Sequence, residues 1–427
     1  MTAAALALVA TAPGQTAVVS VFVDPIMADL GVSRSAVAGA YLIGSLSGAV
    51  VVPFLGRAID RYGPRLVMAA IAGCFGAMLL TATMVTEIVG LTIAFVGIRA
   101  GGQGALSLVA TTAVAVHVRR HRGLAIGVTS ALGTVGISLA PILVERYVGD
   151  WGWRQMWFVE GMVVWVLVIP AALALLPRHR ARSLGPAATG TDMGAAENAD
   201  QTVGQAVRTA VFWVVTAGVS VCAMITTGLV FHQFSLLGER GLTTTQAAAI
   251  LLPQTVAGLT TTLGLGWLAD RVPDRLLIAV TMAVLAAATV GAGWVTPGPA
   301  AVLYALAIGA AGSGIRTLEA AAFTRSFGVA HIGAIRGVVH SAAVGATAFG
   351  PVLVALGREH ADSYRPVLLA LTALPFAVAV AALLIREPAP KRPATSTAAG
   401  PGTGRPGVIL SASSAPVPNR RTPTPRP

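Results

Sequence analysis

Gly56-Arg57-Ala58-Ile59-Asp60-Arg61-Tyr62-Gly63-Pro64-Arg65 follows an apolar stretch, and a paler copy stands 210 positions later as Gly266-Trp267-Leu268-Ala269-Asp270-Arg271-Val272-Pro273-Asp274-Arg275. The glycine, the Asp-Arg pair and the final arginine keep one offset. That offset also carries Gly31 to Gly241, Ser33 to Thr243, His121 to His331, Gly123 to Gly333, Gly127 to Gly337 and Pro141 to Pro351. A hydrophobic chain that repeats itself once, at half its length, predicts two membrane bundles with a substrate path between them.

Composition agrees. Of 427 residues 55% are hydrophobic and 11% charged, and the mean hydropathy is +0.77. A soluble domain carries roughly 25% charge, so these charges are too few to cover an aqueous surface. The net charge of +12 is spread through loops, with no basic soluble face of the kind that binds nucleic acid. Cys74 and Cys222 stand alone in apolar segments, implying neither a disulfide framework nor a metal site. There is no Gly-x-x-x-x-Gly-Lys-Ser/Thr motif, the only lysine is Lys391, and no nucleophile triad stands out. ATP-driven pumping and enzymatic activity are disfavoured, and no cofactor is expected.

Apolar runs of about 20 residues mark spanning helices. They fall near 2–23, 35–55, 66–86, 89–115, 123–144, 155–176, 210–232, 246–265, 276–295, 300–322, 333–356 and 366–385. The expectation is an all-α membrane protein of twelve helices in two six-helix bundles, 1–177 and 210–386, with a connecting loop at 178–209. The Pro-, Ser- and Thr-rich tail at 387–427 is expected to be disordered. Met1 to Val23 lacks the basic lead of a secretory signal and is broken by Pro13-Gly14, so it reads as the first span. Because that span begins almost at Met1, translation from an upstream start is a further expectation.

Arginine placement sets the orientation. With both termini cytoplasmic, the inner loops hold Arg57, Arg61, Arg65, Arg119, Arg120, Arg122, Arg178, Arg180 and Arg182. The outer loops hold Asp24, Asp29, Arg34, Glu87 and mixed pairs such as Glu145 with Arg146 and Glu239 with Arg240. A multi-pass protein of the cell inner (plasma) membrane follows.

The 56–65 segment resembles the loop signature of the major facilitator superfamily, and the resemblance covers about residues 2 to 386. More narrowly the first half resembles the monocarboxylate and oxalate/formate transporter branch, through Phe22-Val23-Asp24-Pro25-Ile26, Gly31-Val32-Ser33-Arg34, Arg122-Gly123-Leu124-Ala125-Ile126-Gly127 and Trp151-Gly152-Trp153-Arg154. The resemblance implies a monomeric secondary transporter that works by alternating access on a small-molecule substrate. It makes Gly56, Asp60, Arg61, Gly63 and Arg65, with Asp270 and Arg271 in the second copy, a latch between the bundles. In that copy Pro273-Asp274 replaces the Gly-Pro turn. Independently of the family, Gly56 permits close helix approach, Gly63-Pro64 makes a tight turn, and Arg65 faces an anionic leaflet.

Charges inside the spans are costly, roughly 2.5–3.5 kcal/mol for an arginine at a helix centre, and mark function by default. Arg99 resembles the superfamily's fourth-span Arg-Gln-Gly motif, with Gln103 four residues on rather than three and therefore on the same α-helical face. Its roles are a substrate anion, a proton relay, or a pair with Glu160 or backbone carbonyls. Arg316 and Glu319, three apart in the tenth span, either neutralise each other or divide the work, Glu319 taking a proton and Arg316 an anion. Arg316 corresponds to Leu106 under the repeat, not to Arg99. Gln15, Thr16 and Ser20 at the Pro13-Gly14 break are candidate cavity donors. His340 is a candidate proton site, with His232-Gln233 weaker. Gln254 and Thr255 make the eighth span polar, yet it lacks the arginine that monocarboxylate relatives often carry.

The function these residues imply is proton-coupled movement of a small organic anion, monocarboxylate-like. The alternatives are a proton-coupled drug efflux antiporter, against which two intramembrane arginines argue, and a non-transporting membrane sensor or scaffold.

Overall fold

The computed structural model describes residues 1–117, 122–177, 201–269, 271–328 and 331–385. Asp270, most of the connecting loop and the tail lie outside the described residues, as does the side chain of Asp60.

Every regular element among these residues is a helix. The elements are α1 (Thr2–Val9), α2 (Thr16–Leu30), α3 (Arg34–Ala82), α4 (Ile88–Ile98), α5 (Ser107–His117), α6 (Arg122–Leu175), α7 (Val203–Ala206) and α8 (Ala210–Phe231). They continue as α9 (Gln233–Gly238), α10 (Thr244–Ala249), α11 (Leu251–Ala269), α12 (Asp274–Ala292), α13 (Pro299–Phe327), α14 (Ile332–Ala361) and α15 (Arg365–Leu384). α3 and α6 each contain two helices joined at a glycine in a backbone conformation that L side chains rarely adopt, Gly63 with φ 79° and Gly152 with φ 75°. Among the described residues 10 helices are long and apolar enough to cross a membrane. One of them, from Gly127 to Leu175, folds back at Gly152, and the arm of α3 before Gly63 precedes another that starts at Arg61. The twelve-helix expectation is consistent with this.

α1 to α6 pack mainly with one another, as do α8 to α15, giving the two bundles; α3 with α14, α2 with α8, and α6 with α10 and α11 join them. The repeat is visible in the backbone. Gly31 and Gly241 both have positive φ, 62° and 83°. Two positions later Ser33 and Thr243 cap the next helix in the same way, accepting from Ala36 N at 3.1 Å and Gln246 N at 3.2 Å. The helix ends at Gly31, Gly152, Gly241 and Gly298 share one face of the molecule, here the far face. The turns at Gly63, Pro273 and Gly328 share the other, the motif face.

The first span is broken as its Pro13-Gly14 pair predicts. A 3-10 turn at Ala12–Gly14 separates α1 from α2. Beside it the fourth span widens into a π-helix over Arg99–Leu106, a form that is rare and concentrated at functional sites. The two irregularities interlock without side chains between them. A Cβ on Gly14 would lie 2.7 Å from Gly102 Cα, and a Cβ on Gly102 would lie 2.7 Å from Gly14 Cα. Helices in lipid gain their contact from such close approach of small residues.

Gly102→Ala therefore forces two backbones apart, and the expected loss is about 1–3 kcal/mol. Gly39→Ala, where an added Cβ meets nothing within 4 Å, is expected to leave stability unchanged or raise it by up to about 1 kcal/mol. Thermal melting of the purified protein in detergent distinguishes them. Equal melting temperatures would rule out the close approach.

Candidate functional site

Arg99 is buried, 3% exposed. Its guanidinium donates to Gly14 O at 2.8 Å and Ser45 Oγ at 3.0 Å, and lies 4.4 Å from the centre of the Tyr41 ring. A broken helix leaves carbonyls that lipid cannot satisfy, and a buried arginine needs acceptors; each answers the other. Of the pairings expected for Arg99, the one with backbone carbonyl forms and the one with Glu160 does not. Arg99 is drawn into the packed bundle, whereas Gln103 stands exposed on the cavity wall.

That cavity lies between the bundles. One part, of about 750 Å³, is lined by Gln15 and Gln103 from the first bundle and by Thr226, Arg316, Glu319, Arg336 and His340 from the second. An adjoining part of about 500 Å³ is lined by Gln15, Thr16, Ser138, Thr227, Gln254, Thr255 and Arg316. Gln15, Thr226, Thr227, Gly312 and Arg316 border both. The fold thus brings Gln15, Thr16, Gln103, Arg316, Glu319 and His340 to one cavity, and leaves Arg99 and Ser20 out of its wall.

The ionic pairing differs from expectation. Glu319, 7% exposed, accepts from Arg336 Nε at 3.0 Å. Arg316, among the described residues, donates only to Gly312 O, at 3.2 Å, one turn back on α13. Among the described residues it has no carboxylate partner and is exposed to the cavity. Arg336, near the start of α14, escaped the sequence reading because nothing in spacing predicts which helices meet. Arg336 takes the carboxylate, and Arg316 is left as a cation facing the cavity.

The far face is closed. Glu359 of the second bundle accepts the backbone N–H of Ser35, in the first turn of α3, at 2.8 Å. Glu145 of the first bundle accepts from Thr244 Oγ1 at 2.5 Å and Thr245 Oγ1 at 3.3 Å, in the first turn of α10. Ser35 and Thr245 are 210 apart, so the two carboxylates clasp repeat-related helix starts, where anions are favoured. Below them Ser138 Oγ meets Thr255 Oγ1 at 2.5 Å, and the Tyr41 and Phe231 rings pack at 4.7 Å. His232 and Gln233, weak candidates by sequence, brace this face, bonding Pro351 O at 2.8 Å and Ala247 O at 2.5 Å. On the motif face no hydrogen bond joins the bundles among the described residues, and the cavity reaches Ile332 and Arg336 at the start of α14. In the second copy of the motif, Asp274 pairs with Arg325 and Arg271 donates to Trp267 O at 2.7 Å, both within the second bundle.

The family model described as Major Facilitator Superfamily matches residues 4–339. The chain belongs to the major facilitator superfamily. Among solved structures it is similar to the nucleoside transporter NupG, with a TM-score of 0.72, 12% identity, and cover of 89% of this chain and 97% of that one. It is also similar to a bacterial homolog of the human lysosomal transporter Spinster in an inward-facing and unoccupied conformation, with a TM-score of 0.66, 15% identity, and cover of 90% and 96%. At those identities the likeness shows the fold. No curated protein matches the chain by sequence. The superfamily member is accordingly a membrane transporter and not an enzyme.

Replacing both clasp carboxylates, Glu145→Ala with Glu359→Ala, is expected to loosen the far face. In a background lacking Cys74 and Cys222, Gln254→Cys should then react severalfold faster with a membrane-impermeant maleimide added from the far side. An unchanged rate would mean that the clasp does not hold this face shut.

Proposed function

We propose that this transporter moves a small organic anion, monocarboxylate-like, by alternating access with proton coupling. The observation that carries the reading is Arg316, a cation exposed to the inter-bundle cavity with no carboxylate partner among the described residues. A carboxylate is the ligand that completes it, through charge-assisted hydrogen bonds. Gln15, Thr16 and Gln103 supply neutral donors from the facing bundle, so one bound anion contacts both halves. Arg99 acts from behind, holding the break that positions Gln15.

Glu319 is the proton site in this scheme, with His340 beside it on the cavity wall. Protonation of Glu319 releases Arg336 and adds one positive charge to the cavity, so proton and anion enter together. Loss of the proton restores the ion pair and weakens the hold on the anion. With the motif face cytoplasmic, as the arginine excess supports, the structure is the inward-open form, and Asp60 with Arg61 closes that side in the other form. The protein acts as a monomer in the cell inner (plasma) membrane.

A second reading rests on the adjoining part of the cavity. Its wall of Thr16, Ser138, Thr227, Gln254 and Thr255 is uncharged and rich in hydroxyl and amide groups, which suits a neutral polyhydroxylated solute such as the nucleosides of NupG.

Uptake into proteoliposomes separates the two. Labelled lactate or oxalate should accumulate under a pH gradient, and Arg316→Gln should lower that uptake about tenfold or more, equivalent to the loss of about 1.4 kcal/mol, with partial recovery in Arg316→Lys. Uptake of labelled uridine that is indifferent to both the gradient and Arg316→Gln, with no carboxylate uptake, would overturn the anion reading.

A further inference from the structure

Three buried polar atoms without a hydrogen-bond partner lie on the second arm of α6: Trp153 Nε1, Trp157 Nε1 and Glu160 Oε2. Positions 153, 157 and 160 are spaced i, i+4 and i+7, so they share one stripe of the helix. Their setting is aromatic. Trp157 packs edge-on against Trp153 at 5.0 Å and Phe22 at 5.5 Å, with Phe95 at 6.4 Å. The neighbouring Gly161 fits tightly on α3, where an added Cβ would lie 3.1 Å from Gly76 O. Further along the same helix Trp165 finds its acceptor, Gly73 O, at 3.0 Å. Unsatisfied groups are therefore a property of the 153–160 stripe and not of the helix. Buried polar atoms of this kind call for a specific explanation.

Among the described residues no charge answers Glu160. On α2, Asp24 is paired with Arg34 and Asp29 with Arg154. On the fourth span, Arg99 is engaged by Gly14, Ser45 and Tyr41. On α3, Cys74 is exposed on the outer surface, the Tyr41 hydroxyl is bonded to Thr16, and Arg61 and Arg65 stand at the motif face, some three helical turns from Gly76. Glu87 lies before α4 at the far face, and Arg154 on α6 itself is taken by Asp29 and by Val85 O at 2.8 Å. An isolated carboxylate in such surroundings neutralises itself sooner than remain charged.

We propose that Glu160 is a proton-binding site of the first bundle, its carboxyl group held as the neutral acid inside the membrane. It is separate from the central cavity, whose acid, Glu319, already has Arg336. As the acid, Glu160 offers an O–H on the same helix stripe as the indole N–H groups of Trp157 and Trp153, and water is the ligand class that would join these groups. The assignment stands whether or not the transported solute is an anion.

Infrared spectroscopy of the full-length protein in lipid tests it, comparing wild type with Glu160→Gln and Glu319→Gln at neutral pH. Glutamine keeps the shape and neutrality of the protonated side chain, so Glu160→Gln is expected to melt like wild type. The expected result is a protonated-carboxyl C=O band in wild type, shifted by deuterium exchange, lost in Glu160→Gln and retained in Glu319→Gln. A wild-type spectrum without that band, or a band that survives Glu160→Gln intact, would overturn the proposal. A band lost only in Glu319→Gln would also overturn it, and would place the proton in the cavity.

Discussion

Arg99 reaching the carbonyl of Gly14 is the contact on which the rest of this molecule depends. Inside a bilayer neither partner has water to fall back on. The first span is broken at Pro13-Gly14, the fourth widens into a π-helix at Arg99, and the two backbones meet at Gly14 and Gly102 with no room for a Cβ. That single knot turns Gln15 and Gln103 toward the cavity while drawing Arg99 away from it. Through the Tyr41 ring it also reaches Phe231 of the other bundle. Local irregularity, helix packing and the first bundle's cavity donors are thus one arrangement.

Duplication explains the frame around that knot, and divergence explains what the frame is for. The glycine turns at 31 and 241, the Ser33 and Thr243 caps, and the helix starts at Ser35 and Thr245 that the clasps hold repeat across the halves, whereas Glu359 and Glu145 do not correspond under the offset. The charged chemistry does not repeat. Arg99 is packed into the first bundle and Arg316 is exposed to the cavity from the second. A symmetric closure at one face around an asymmetric interior lets a solute be held mainly by one half and released by movement of the other.

Much of this frame was legible in the sequence because it rests on local rules. Pro13-Gly14 breaks a helix wherever it sits, Gly63 and Gly152 permit turns that other residues resist, and hydropathy marks spans regardless of partners. The candidate cavity residues Gln15, Thr16, Gln103, Arg316, Glu319 and His340 were also recognisable, since polar groups in apolar runs stand out. Pairing was not. Glu319 was read against its near neighbour Arg316, but the α14 arginine at 336 claims it, and Glu145, read as an outer-loop charge, clasps a helix start of the other bundle. Contacts between helices distant in sequence carry no spacing signal.

In alternating access this far-face-closed, motif-face-open arrangement is one of two states that exchange during transport. Spin-label distances across both faces test it most directly, with one pair at Gly149→Cys and Gly238→Cys on the far face and another at His117→Cys and Thr324→Cys on the motif face. The prediction is reciprocal change in lipid as pH or solute is varied: a longer far-face population appears as a shorter motif-face population grows. Far-face distances that stay fixed under every condition in which the protein transports would contradict the account.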